Sequence, residues 1–253
     1  MIKKGDFIEL DYTARLKDEN LVFDTTSAQV AKEAGSFSSK FHYAPVVICV
    51  GEHHLIPGLD DSLIGKNTGS YNIEIPAEKG FGKKQAGLLK LIPLRLFKND
   101  KVDPYPGLEV NVDDQVGIVK SVSGGRVIVD FNHPLSGKDL LYDVEIRRMV
   151  TDPVEMIRAL LDLIRLPHVA IDVMDTKAEV HIKMKLPDEV TAQLSEDIKR
   201  MTGLREIAFK VVEQEAKAAP KKAHEHKHGE NGQDHGKEGH SHKGHDNHAH
   251  KHD

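Results

Sequence analysis

Apolar and polar positions alternate along residues 6–16. Ile8, Leu10, Tyr12, Ala14 and Leu16 fall on one side, and Glu9, Asp11, Thr13 and Arg15 on the other. A period of two held this long predicts a strand with one buried face. Val46–Val50 is a short β-branched run closed by Gly51, and Tyr71, Ile73 and Ile75 alternate ahead of Pro76. Tyr142, Val144 and Ile146 alternate with Asp143, Glu145 and Arg147, which predicts a further half-buried strand. Pro57-Gly58 opens a short helical stretch in which Leu59 and Leu63 share a face. Several strands and one short helix predict an α+β fold or a barrel-like antiparallel sheet.

Two stretches break from this region. From about Lys83 to Asp130 the residues Val110, Val112, Val116, Ile118 and Val127–Val129 are strand-like, with Gly124-Gly125 as a turn. The run LLKLIPLRLFKND before them is apolar, and DPYPG after it interrupts any regular element. The pattern predicts a small β-rich module inserted between strands of the first region. A third unit starts at Asp152-Pro153, where Asp152 suits an N-cap, Pro153 the first helical position and Glu155 a capping-box spacing. Ile157, Leu160, Leu161 and Ile164 form a helical stripe, and a hairpin follows over Val169–Val173 and Val180–Leu186. A second helix carries Val190, Leu194, Ile198 and Met201 on one face and stops at Gly203, and a last strand holds Ile207, Phe209 and Val211. Nothing in this unit concentrates reactive groups, which leaves packing or homodimer formation as its expected role.

Composition narrows the chemistry. Residues 216–253 hold seven Lys and six Asp or Glu, so the body carries 28 basic and 34 acidic residues, a balance that argues against nucleic acid as the main partner. Cys49 is the sole cysteine, so neither an intrachain disulfide nor a thiolate metal cluster is available. The N-terminal residues MIKKGDFIELDY contain no apolar signal core, and no run approaches a membrane span, so a cytoplasmic location is expected. Ten of the sixteen histidines lie at His224, His226, His228, His235, His240, His242, His245, His248, His250 and His252. That tail has no aliphatic residue larger than Ala, cannot offset its ordering entropy by burial, and is expected to be disordered. Its H-x-H pairs predict chelation of a divalent transition metal (Ni, Zn, Cu or Co), weakening as imidazoles protonate below about pH 6.5.

Three segments together resemble the FKBP family of peptidyl-prolyl isomerases: YTARLKDENLVFDTT at 12–26, PVVICVGEHHLIPGLDDSLIG at 45–65 and LLYDVEI at 140–146. Gly80-Phe81-Gly82 and NHPLSGKDL at 132–140 resemble the exit to and return from the inserted flap of SlyD-like members, which also end in histidine-rich tails. The resemblance covers residues 1–149, and residues 151–215 resemble the extra C-terminal domain of long archaeal members. It implies an isomerase domain of residues 1–84 plus 131–149 with an FKBP-like antiparallel sheet. It further implies an inserted flap or chaperone domain at 85–130, an α/β two-layer domain at 150–215, and a tail at 216–253.

An isomerase of this class needs no nucleophile, metal or general base, and no cofactor is expected for catalysis. The barrier to rotation is about 18–20 kcal/mol of lost amide resonance, and a dry apolar cup disfavours the planar polar ground state relative to the twisted one. The resemblance implies a cup lined by Tyr12, Phe23, Val46, Ile48, Leu55, Ile56, Leu59, Phe81 and Tyr142. Asp24 would sit near the twisting carbonyl, and the Ile56 N–H would hold the peptide. Leu59 replaces an aromatic floor common in the family. Phe81 replaces the usual Tyr and forgoes a hydrogen bond worth about 0.5–1.5 kcal/mol. Without the resemblance, an inward Tyr on a strand reads more simply as core, Asp24 as a turn cap, Cys49 as a small buried residue, and His53, His54 and His133 as solvated or structural.

In the insert, Leu91, Ile92, Leu94, Leu96, Phe97, Tyr105 and Leu108 exceed what so small a module buries, and an exposed share suits unfolded clients. The reading is a prolyl isomerase and folding chaperone acting on unfolded or proline-containing polypeptides, with no membrane partner. The alternative is a holdase or metal-handling protein with a vestigial pocket.

Overall fold

The computed structural model describes residues 1–99 and 101–212, and within them the chain is mixed α+β, built on antiparallel sheets with short helices. In chain order the elements begin with β1 (Phe7–Leu16), β2 (Val22–Thr25), α1 (Ala28–Glu33), β3 (Val46–Cys49), α2 (Pro57–Leu63) and β4 (Gly69–Ile75). Then come β5 (Leu89–Pro93), α3 (Leu94–Asn99), β6 (Glu109–Val112), β7 (Gln115–Ser123), β8 (Arg126–Asp130) and β9 (Leu140–Val150). The last are α4 (Pro153–Leu163), β10 (His168–Met174), β11 (Lys177–Ile182), α5 (Asp188–Thr202) and β12 (Glu206–Val211).

The first sheet runs β2-β1-β9-β4, and β1 shares one edge between two partners: β3 pairs with Phe7–Leu10 and β2 with Thr13–Arg15. Alternation on β1 buries Ile8, Leu10, Ala14 and Leu16 against Leu59 and Leu63 of α2 and Leu140, Val144 and Ile146 of β9. Helix α2 sits so close to the sheet that a Cβ on Gly58 would come within 2.6 Å of the Ile75 Cγ2, which explains glycine after Pro57.

A bulge redirects the end of β9. Leu10 pairs with Ile146 but Glu9 pairs with Arg148, leaving Arg147 as an extra residue. One extra residue exchanges the faces of everything beyond it. Val150 therefore joins Phe7 and Cys49 on the opposite side of the sheet, where all three pack with Ile157, Leu160 and Leu161 of α4 and Ile198 of α5. The C-terminal elements thus share a core with the first sheet, and Arg200 reaches Glu52 at 2.7 Å across the same seam. The described residues belong to one compact unit.

The sheet β10-β11-β12 joins an antiparallel hairpin to a parallel pair, with α5 as the crossover. Asp152 caps α4 by accepting from the Val154 N–H at 3.2 Å, and Gly203 ends α5 at φ 75. Glu155 closes no capping box; its carboxylate takes the Arg148 guanidinium at 2.6 and 2.9 Å. Val190, expected on the packed face of α5, is 49% exposed in the first turn.

The third sheet, β5-β8-β7-β6, is the inserted region. The run LLKLIPLRLFKND, read only as apolar, holds the edge strand β5 followed by α3. Pro93 is tolerated as the last residue of that edge. Gly117 lets β7 pass Val129 and Phe131, since a Cβ there would lie 2.6 Å from the Val129 side chain. The tail expectation, residues 216–253 with its ten histidines, lies outside the described residues.

Candidate active site

Five separated stretches of chain meet over the buried face of the first sheet. Tyr12 on β1 and Tyr142 on β9 are diagonal neighbours, since Ala14 pairs with Tyr142 and Tyr12 with Val144. Their ring centroids are 5.9 Å apart. Strand β2 brings Phe23 edge-on to Tyr142 at 6.2 Å and to Phe81 at 6.1 Å. Phe81 stands in the turn between Gly80 and Gly82, and the turn is held because Gly82 takes φ 78 and its N–H reaches the Ala77 carbonyl at 2.8 Å. Leu55 and Ile56 enter just before α2, and Leu59 on that helix forms the floor at 1% exposure.

Together these residues enclose a hollow of about 530 Å³ lined by Tyr12, Phe23, Asp24, His54, Leu55, Ile56, Leu59, Phe81, His133, Leu135 and Tyr142. Seven of the nine residues expected in the cup, together with Asp24, are thus brought together. Val46 instead lines a neighbouring hollow behind Tyr12 and Phe23. Ile48, expected in the cup, is corrected to a core position: at 1% exposure it packs within the sheet's hydrophobic cluster and lines neither cavity. On a four-residue strand paired to β1, its side chain is covered from all sides.

The wall also contains residues that sequence reasoning missed. His133 and Leu135 belong to the return from the insert. The His133 ring stacks flat on Phe81, 4.6 Å between centroids and 3° between planes. The Ser136 hydroxyl donates to the Phe81 carbonyl at 3.1 Å, fastening the return to the turn. His54, expected as a solvated residue, lines the hollow, and its Nδ1 accepts the Cys49 N–H at 3.1 Å. Burial pushes the His54 pKa below the ordinary imidazole value, outweighing the opposing charges of Asp60 and Glu52. The only sequence signal was the motif NHPLSGKDL itself, which carries no periodicity.

The loop over 51–56 is tied to α2 by Asp60. This carboxylate is 2% exposed and accepts from the N–H groups of Gly51 at 2.9 Å and His53 at 3.1 Å. Ile56 caps α2, its carbonyl accepting from Leu59 and Asp60 at 3.0 Å each, while its own N–H has no acceptor among the described residues. The residue that carries this unpaired donor lines the hollow. At the mouth the Tyr12 hydroxyl donates to Asp24 Oδ2 at 2.8 Å. Burial, reinforced by the Asp24 charge, raises the pKa of both Tyr12 and Tyr142 far above a free phenol. Both stay protonated, and of the two hydroxyls it is that of Tyr12 that donates, to Asp24.

The client residues expected in the insert divide. Leu91, Leu96 and Tyr105 are 54%, 47% and 61% exposed, whereas Ile92 and Phe97 are corrected to core positions, at 8% and 6%. Leu94 and Leu108 are half-buried against that core. A third concavity lies on the polar side of the first sheet near Asp11, Asn72 and Asp143. The Asp11 carboxylate there is taken by Arg147, and that of Asp143 by Arg15 and the Asn72 amide. Among the described residues no three His, Cys, Asp or Glu are placed to hold a metal.

Residues 90–135 match the family described as FKBP26, IF domain. The chain is 32% identical over 148 residues to the short-type peptidyl-prolyl cis-trans isomerase of Methanocaldococcus jannaschii, spanning 58% of this chain and 93% of that one. It is 37% identical over 114 residues to a probable FKBP-type 16 kDa peptidyl-prolyl cis-trans isomerase of Pseudomonas fluorescens, covering 43% of this chain and 75% of the relative. It is 24% identical to the SlyD isomerase of Haemophilus influenzae, over 57% of this chain and 70% of that one. A sheet cradling an aromatic hollow and these relatives define the class: the chain belongs to the FKBP-type peptidyl-prolyl cis-trans isomerases and is an enzyme acting on proline-containing polypeptides.

Proposed function

We propose that the 530 Å³ hollow is the isomerase site and that the inserted sheet holds unfolded clients beside it. The observation that carries the reading is the convergence of Tyr12, Phe23, Phe81 and Tyr142 around a leucine floor, with a free N–H at Ile56 and one carboxylate at the mouth. An apolar wall leaves the planar amide dipole poorly solvated while costing the twisted state little, which lowers part of a barrier of about 18–20 kcal/mol. The Ile56 N–H holds a peptide carbonyl, and Asp24, kept in place by the Tyr12 hydroxyl, lies where the rotating carbonyl loses its partial charge separation. The chemistry calls for no nucleophile and no metal.

Support for the holding role comes from the exposed apolar surface of the insert. Leu91 and Ile128 are directly paired across β5 and β8, and both are open to solvent at 54% and 37%. A client held there meets the hollow at raised effective concentration. The histidine-rich tail is proposed, from its donor set alone, to bind a divalent transition metal apart from catalysis. Dialysis of the full chain against Ni, Zn, Cu or Co, with and without competing imidazole, tests that part. The isomerase reading is tested by turnover of a short Xaa-Pro peptide in Asp24→Ala and Tyr142→Ala. A loss of about tenfold or more, on the order of 1.4 kcal/mol, supports it, and unchanged turnover in both favours a holding protein.

A further inference from the structure

His54 and Ile56 reach the hollow from the loop 50–56 between β3 and α2, and the C-terminal elements back that loop. The backing starts at Cys49, which is fully buried among Ile157 and Leu161 of α4 and Ile198 of α5. Its N–H donates to the His54 Nδ1 at 3.1 Å. One residue thus belongs to the C-terminal core through its side chain and steadies the wall of the hollow through its backbone.

Further along, the loop is gripped from two sides. On the α2 side, Asp60 accepts the N–H groups of Gly51 and His53. On the α5 side, the carboxylate of Glu52, the residue between them, takes the Arg200 guanidinium at 2.7 Å. Asp197, three residues earlier on α5, accepts from the same guanidinium at 3.5 Å. His53 takes φ 58, a left-handed backbone that is costly for a residue with a Cβ. Such a conformation persists where the surroundings over-determine it. Here one grip takes the His53 N–H and the other takes the side chain just before it. The Glu52 side chain is only 20% exposed, so solvent does not readily replace Arg200 as its partner.

We propose that Arg200 is a positioning residue of the isomerase. Through Glu52 it holds the loop from the C-terminal side, so that the Ile56 N–H stays where it meets the peptide carbonyl and His54 stays in the wall. The C-terminal elements then serve the hollow directly, beyond packing against the first sheet. This role rests on the proposed isomerase site, since the loop matters to turnover only if the bond rotates there.

The test is short Xaa-Pro peptide kinetics on the full chain with Arg200→Ala, Glu52→Gln and the two combined. Loosening a donor that holds the ground state and the twisted state alike raises KM and spares kcat. KM should rise about threefold in each single variant, the size expected of one partly exposed ion pair. It should rise no further in the double variant, because both changes remove the same contact. Salt at about 1 M should raise the wild-type KM toward that of the variants and leave theirs in place. The amide resonances of His54 and Ile56 should shift in Arg200→Ala. An Arg200 that only packs α5 would lower the melting temperature and move neither KM nor those resonances. Unchanged KM in both single variants, or rises that multiply in the double variant, overturns the positioning role. If Asp24→Ala leaves turnover unchanged, the isomerase reading itself has failed. If Asp24→Ala slows turnover while Arg200→Ala and Glu52→Gln keep the wild-type KM, the positioning role alone has failed.

Discussion

The aromatic hollow and the inserted sheet are both rich in apolar side chains, yet they present them in opposite ways. In the hollow the rings face one another over a floor that is 1% exposed, supported by a core of fifteen buried residues. The insert has six buried residues beneath it, and Leu89, Leu91, Leu96, Tyr105, Val116 and Ile128 remain open to solvent. Enclosure suits a step that needs a poorly solvating environment around one bond. An open apolar face suits weak capture of many sequences. The same residue types serve two tasks because one set is backed by a large core and the other lies on a module too small to cover it.

The sharpest way to break the comparison is at Phe97, the anchor of the insert's small core. Phe97→Ala is expected to cost about 3–5 kcal/mol locally, seen as lost hydrogen-exchange protection across β5–β8. Short-peptide turnover stays near that of the wild type, and an equal fall in both would mean that the hollow depends on the insert's folding. Next in size, Leu91→Ser with Ile128→Ser removes an exposed cross-strand pair and leaves Ile92 and Val127 packed beneath. Catalysis of a proline-limited refolding reaction is expected to fall several-fold while peptide turnover holds, the effective-concentration advantage being lost.

Within the hollow, Tyr12→Phe keeps the ring and deletes the hydrogen bond to Asp24. Such a bond is worth about 0.5–1.5 kcal/mol, so kcat/KM should drop by a few-fold while the melting temperature falls by no more than a few degrees. The smallest effect is a pH dependence. Because burial holds the folded-state pKa of His54 below the ordinary imidazole value of about 6.5, the unfolded chain binds a proton that the folded chain resists. The stability this contributes is complete above about pH 6.5 and is lost as pH falls below it toward the lowered folded value. Denaturant titrations from pH 7.5 to 5 should show a steeper decline for the wild type than for His54→Gln, and parallel curves would contradict the assignment.

Much of this architecture is legible in the chain because period-two alternation directly reports a buried sheet face. The pattern from Ile8 to Leu16 and from Tyr142 to Ile146 identified the inward side chains of two neighbouring strands. It could not show the extra residue at Arg147, which turns Val150 toward Phe7 and gives the C-terminal helices something to pack on. Nor could it distinguish Ile48, covered by its sheet, from Val46 two residues earlier, which opens into the neighbouring hollow. Helix α1 is six residues long and offers no full period to read, though its cap, Ser27, accepts the Val30 N–H at 3.4 Å. His54 and His133 looked unremarkable because their roles arise from partners distant in sequence or from stacking, neither of which leaves a local pattern.

The most direct measurement is NMR line-shape or exchange analysis of a short Xaa-Pro peptide with the wild type and with Asp24→Ala. Asp24 is an exposed residue at the mouth of the hollow, so its removal should leave the fold and melting temperature unchanged. The account predicts that the catalysed interconversion rate falls by about tenfold or more. An unchanged rate in a folded Asp24→Ala protein would contradict the assignment of this hollow as the place where the bond turns.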